Sequence, residues 1–119
     1  MKYEDFVKEL RKLIVKRASL PMEWDDGIYS VQKEWTKLCS ENIEHLIRFL
    51  DEDSTDDEYG WLSEVYEDIA EVNPNREFVA SLYRAAKKFP EETKNSNVMS
   101  FIEGADDIVE YCLDPDRQE

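Results

Sequence analysis

"TDDEYGWLSEVYEDIAEVNPNREFVASLYRAAKKFP", residues 55–90, contains two helices and the signals that start and stop each. Thr55 followed three positions later by Glu58 is a capping box. The hydroxyl accepts from the Glu58 backbone N–H while the Glu58 carboxylate reaches back to the N–H of Thr55. Asp56, Asp57 and Glu58 also suit the positive end of a helix dipole. Leu62, Val65, Ile69 and Val72 then recur at three- and four-residue steps, the buried edge of one helix. "NPN" at 73–75 stops it. Asn75 can cap the next helix, which carries Phe78, Val79, Leu82, Tyr83, Ala86 and Phe89 and ends at Pro90.

The same periodicity runs outward in both directions. Tyr3, Phe6, Val7, Leu10, Leu13 and Ile14 make one stripe, with six cations and three acids on the other faces of that opening helix. "ASLPMEWDDGIYS", residues 18–30, breaks the pattern and reads as a loop through Pro21 and the Asp26-Gly27 pair. A long helix over about 28–50 follows, with Val31, Trp35, Leu38, Cys39, Leu46, Ile47 and Leu50 on one side. After the polar connection "EETKNSN", Val98, Phe101, Ile102, Ala105, Ile108, Val109 and Cys112 build a last helix. No stretch alternates with period two. The expectation is an all-α single domain over residues 1–119, a bundle of about five amphipathic helices, with 113–119 fraying.

The 119 residues are 41% hydrophobic and 12% aromatic, enough to build a core without staples. Net charge is −14, from 29 acids against 15 Lys and Arg. Phosphate binding requires the opposite sign, so direct nucleic-acid binding is not expected, and attraction to basic partners is. No apolar run approaches the ~18 residues of a membrane span. The opening "MKYEDFVKEL" has no apolar centre of a secretion signal. A cytoplasmic protein with no membrane contact is the expectation.

No nucleotide-binding, nucleophile-elbow or zinc-protease motif occurs. The lone His45 falls within a helix, and Cys39 and Cys112 stand 73 positions apart, so neither a Cys-His pair nor a zinc set is indicated. A calcium loop started at Asp51 places Asp56 where the turn glycine belongs and Leu62 where the bidentate glutamate belongs. No catalytic residue, metal site or cofactor is expected.

Residues 51–72 hold ten acids and no Lys or Arg. On one straight helix Asp57, Gly60, Glu64, Glu67 and Glu71 share a face, which Asp68 widens and Trp61 borders. Aligned acids repel, and a helix-interior glycine costs about 1 kcal/mol relative to alanine. Docking of a cationic protein would account for both, with Gly60 allowing close approach and Trp61 as anchor. A merely solvated face is the equal rival. The 18–30 loop adds Trp24, Asp25 and Asp26 as a second candidate contact.

"WLSEVYEDIAE", "REFVASLYRAAKKFPEET" and "SFIEGADDIVEY", within residues 59–111, resemble in texture and order the small all-helical immunity proteins of bacterial polymorphic and contact-dependent growth-inhibition toxin systems. The resemblance implies a cytoplasmic protein that binds a cognate toxin C-terminal domain, often a DNase or RNase, and neutralises it. The acid surface adds the expectation that this domain is basic, and a monomer on its own is the expected state. The other function that fits is a non-enzymatic acidic adaptor or regulatory subunit for a different basic protein.

Overall fold

In the computed structural model, which describes residues 1–21 and 23–114, the capping box closes as expected. Thr55 Oγ1 accepts from the Glu58 N–H at 3.1 Å, and Glu58 Oε1 accepts from the Thr55 N–H at 3.0 Å. Asn75 Oδ1 caps the following helix through the Phe78 N–H at 3.0 Å.

The helices are α1 (Tyr3–Ala18), α2 (Asp25–Glu41), α3 (Ile43–Arg48), α4 (Asp56–Leu62), α5 (Tyr66–Val72), α6 (Arg76–Lys88), α7 (Pro90–Asn95) and α8 (Val98–Leu113). A π-turn, Phe49–Asp53, follows α3, and a 3₁₀ turn, Ser63–Val65, joins α4 to α5. There is no strand among the described residues. The chain is all-α, in more and shorter pieces than five helices. The fraying expected at 113–119 falls mostly outside the described residues, and Leu113 belongs to α8.

Each departure has a local cause. The expected 28–50 helix breaks at Asn42, whose side-chain amide donates to the Leu38 carbonyl at 2.9 Å in competition with the backbone. The expected 56–72 helix breaks at Ser63, whose hydroxyl donates to the Gly60 carbonyl at 2.6 Å. Pro90 ends α6, and it also begins α7 as its first residue, where a missing N–H costs nothing. Asp25, Asp26 and Gly27 form the first turn of α2 rather than a loop.

The core is continuous across the chain. Phe6 and Leu10 of α1, Trp35 of α2, Tyr59 and Leu62 of α4, Tyr66 and Ile69 of α5, Phe78 and Leu82 of α6, and Ile102 and Val109 of α8 are fully buried. Helix α5 makes its most extensive contact with α8 and also touches α2, which puts it at the centre of the packing. Tyr66 donates to the Tyr59 carbonyl at 2.8 Å, and the Tyr59 hydroxyl shares a 2.7 Å bond with Thr93 of α7. Two apolar positions expected inside lie outside: Val72 is 64% exposed and Phe101 is 36% exposed.

Urea denaturation separates these two kinds of apolar residue. Ile69→Ala should cost about 2–5 kcal/mol, whereas Val72→Ala should change stability by no more than about 0.5 kcal/mol.

Candidate functional site

Eight of the ten acids of residues 51–72 divide into an inward set, bonded to distant parts of the chain although Asp51 and Asp53 stay exposed, and an outward set. Exposed Glu52 pairs with Arg48, and exposed Asp56 accepts from the Asp57 N–H. Inward, Asp51 accepts both Arg84 nitrogens at 3.0 and 2.9 Å, and Asp53 accepts the Tyr3 hydroxyl at 2.5 Å. Glu58 pairs with Arg11 at 2.8 Å. Glu64 takes Arg17 Nε and Nη2 at 2.8 and 3.0 Å and Gln32 Nε2 at 3.1 Å. Arg17 is only 4% exposed, and its guanidinium lies 5.1 Å from the centre of the Trp61 ring. Glu64 is therefore the counter-charge of a buried arginine, and Trp61 covers that pair.

Outward, Asp57, Glu67, Asp68 and Glu71 are exposed and pair with no Lys or Arg among the described residues. They do not form one straight stripe. A 3₁₀ turn rotates the chain about 20° more per residue than an α-helix, so the Ser63–Val65 turn sets the α5 acids out of phase with those of α4. Glu67 folds over α8, where its carboxylate occupies the space that a side chain at Gly104 would need.

Gly60 is buried, and its close approach is made within the chain. The Glu92 carboxylate of α7 seats against it, where an alanine Cβ would stand, and accepts the Ser96 hydroxyl at 2.8 Å. Trp24 is 55% exposed and its ring rests over Gly27, 2.7 Å from where a Cβ would be.

Eight of the ten expected contact residues thus line three separate grooves, and Asp25 and Glu67 line none of them. Asp57, Gly60, Trp61 and Glu64 line one of about 410 Å³ between α4, α7 and α8, together with Ser63, Glu92, Ser96 and Phe101. Asp68 and Glu71 line one of about 500 Å³ between α5 and α2, opposite Lys33 and Lys37. Trp24 and Asp26 belong to a third, near Lys16 and Leu20, with Asp25 exposed beside it. Glu67 lies between the first two along the chain.

Of these three, only the α4–α7–α8 groove is lined by acids without a Lys or Arg, although a further groove holding Glu71, Asp107, Ile108, Tyr111 and Cys112 shares that property. Phe101 and Glu92 were not legible as site residues, because periodicity assigns Phe101 to the core and "EETKNSN" to a connection. The usable signal was Pro90 followed by Glu91 and Glu92, a helix-start pattern.

Beyond the groove the acid surface continues. No Lys or Arg occurs from Phe49 to Asn75 or on α8, whereas α1, α2, α3, α6 and α7 all carry cations. Glu103 and Asp107 on α8 are exposed alongside α5. Partial burial, and secondarily the neighbouring Glu71, raise the Asp68 carboxyl above the ordinary carboxylate range. Among the described residues no group of three or more His, Cys, Asp or Glu is placed to hold a metal ion, and no helix is long and apolar enough to cross a membrane. The chain matches no protein-family model, no curated protein and no solved structure.

Two consequences are measurable. Gly60→Ala gains about 1 kcal/mol of helix propensity but displaces Glu92 from its seat and from Ser96. Its net effect in urea should stay within about 0.5 kcal/mol, with most of the gain recovered when Glu92→Ala is added. A full gain from Gly60→Ala alone would mean that Glu92 does not occupy that seat.

Asp68 has its carboxyl raised on folding, so its protonated form favours the fold and ionisation weakens it as pH rises through the carboxylate range. Asp68→Asn should raise the melting temperature slightly at pH 7, and the difference should vanish as pH falls below the usual carboxylate range. A difference that persists there would contradict the burial cause.

Proposed function

We propose that this chain is a non-enzymatic binding protein that neutralises a basic toxin domain, most simply a nuclease. It would do so by covering the toxin's phosphate-binding surface with helices α4, α5 and α8. The observation that carries the reading is the separation of charge. The inward acids of residues 51–64 are matched by Arg84, Arg11, Arg17 and Tyr3, while Asp57, Glu67, Asp68 and Glu71 are exposed and form no ion pair among the described residues. An acid set that served only folding would be expected to find its counter-charges inside.

A nuclease that holds nucleic acid needs a field of Lys and Arg, and an acid surface competes for that field directly. Charges arranged this way also accelerate encounter, which suits a protein that must bind before the toxin acts. Trp61 and Phe101 supply partly buried aromatic surface at one edge, the residue classes that concentrate binding energy. The resemblance of residues 59–111 to immunity proteins points the same way. On this reading the protein would meet the toxin in the cytoplasm.

The test begins with any neighbouring gene for a large secreted protein, whose C-terminal domain is then co-expressed with this chain. Growth should be rescued and the two proteins should co-purify. Replacing Glu67, Asp68 and Glu71 together by Lys should weaken binding by at least about tenfold, with far-UV circular dichroism unchanged because none of the three forms an ion pair among the described residues. Glu64 is left intact, since replacing it would strand buried Arg17. Absence of both rescue and complex contradicts the toxin reading. Undiminished affinity in the triple variant moves the interface away from α5.

A further inference from the structure

We infer that the groove between α4, α7 and α8 is a receptor for one arginine side chain of the partner. The inference rests on the docking reading above and adds where the anchor goes and what it is. The groove, about 410 Å³, is large enough for a long side chain. It is lined by Trp61 and Phe101, by Asp57 from α4, and by Glu92 from α7.

Charge complementarity selects the occupant. The groove contains three carboxylates and no cation. Glu64 is already satisfied by Arg17 and Gln32. Asp57 and Glu92 are left with no Lys or Arg partner among the described residues, and Lys94 of α7 is exposed without lining the groove. A cation entering here meets two carboxylates that lack internal ones.

The aromatic lining then favours guanidinium over ammonium. A guanidinium is planar, is weakly hydrated, stacks on aromatic faces and donates to two acceptors at once, whereas a lysine ammonium is compact and strongly hydrated. The chain already shows this pairing inside, with Arg17 against Trp61 and Glu64. The partner's arginine would repeat that chemistry at the surface. Glu92 is positioned for the role because Gly60 beneath it leaves room for its carboxylate and Ser96 orients it.

The probe is N-acetyl-arginine amide, titrated into the isotope-labelled full chain and followed by nuclear magnetic resonance at the Gly60 amide, the Trp61 indole N–H and the Ser96 amide. Saturating shifts at these three signals are expected, with clearly weaker binding of N-acetyl-lysine amide. Asp57→Asn with Glu92→Gln should weaken arginine binding by about tenfold, the loss of two charge-assisted acceptors. Glu67→Gln with Asp68→Asn and Glu71→Gln removes more charge nearby but should change it less than about twofold.

Unsaturable shifts spread over every acidic residue, or equal weakening by both sets of substitutions, would overturn the inference in favour of diffuse counter-ion attraction. The outcomes also separate it from the docking reading. A toxin domain captured through α5 with no arginine site at Gly60 sinks only the groove. An arginine seated at Gly60, with no toxin domain bound, sinks only the docking reading.

Discussion

The Arg17–Glu64 pair is the interaction on which the arrangement of the helices depends. Arg17 lies in the last turn of α1, Gln32 lies on α2, Glu64 sits in the turn between α4 and α5, and Trp61 closes over the guanidinium. The buried pair thereby ties α1 and α2 to the α4–α5 junction, 47 and 32 positions away from Arg17 and Gln32. Its energetic character is asymmetric. The assembled pair adds modestly to stability, because desolvation offsets much of the attraction, but removing one partner leaves a buried charge and costs about 3–5 kcal/mol. That asymmetry makes the register of α1 against α4 hard to alter.

Around this pair the protein sorts its charges. The opening helix supplies Arg11 and Arg17 and the sixth helix supplies Arg84, each matched to an acid of residues 51–64. The surplus that produces the net charge of −14 is left most concentrated on α4, α5 and α8, where no Lys or Arg occurs. Self-repulsion there weakens the fold slightly. Glycines at 60 and 104 relieve part of the crowding by giving the Glu92 and Glu67 carboxylates room to lie flat against neighbouring helices. A surface built this way is ready to accept cations from outside.

How much of this could be read from the chain follows the range of each interaction. The capping box at Thr55, the Asn75 cap, the stop at residues 73–75 and most of the apolar stripes depend on neighbours within a few residues, and all appear as expected. The breaks at Asn42 and Ser63 turn on whether a side chain outcompetes the backbone for a carbonyl, which composition alone does not settle. The acid stripe failed as a single line for the same reason, since it assumed an unbroken helix from Asp56 to Val72. Gly60 was legible as a point of close approach, but not that Glu92, 32 positions later, is what approaches. Glu64 and Trp61 were singled out as outward-facing, and only the tertiary contact with Arg17 shows them to be shared between core and surface.

The acid surface of α4, α5 and α8, with the α4–α7–α8 groove at its edge, is the binding face that we propose. Hydrogen–deuterium exchange of the full chain, with and without the proposed toxin partner, tests it directly. Slowed exchange is predicted in α4, α5, α7 and α8, with α1, α3 and α6 unchanged. Protection confined to α1, α3 or α6, where cations and internal ion pairs dominate the surface, would contradict it.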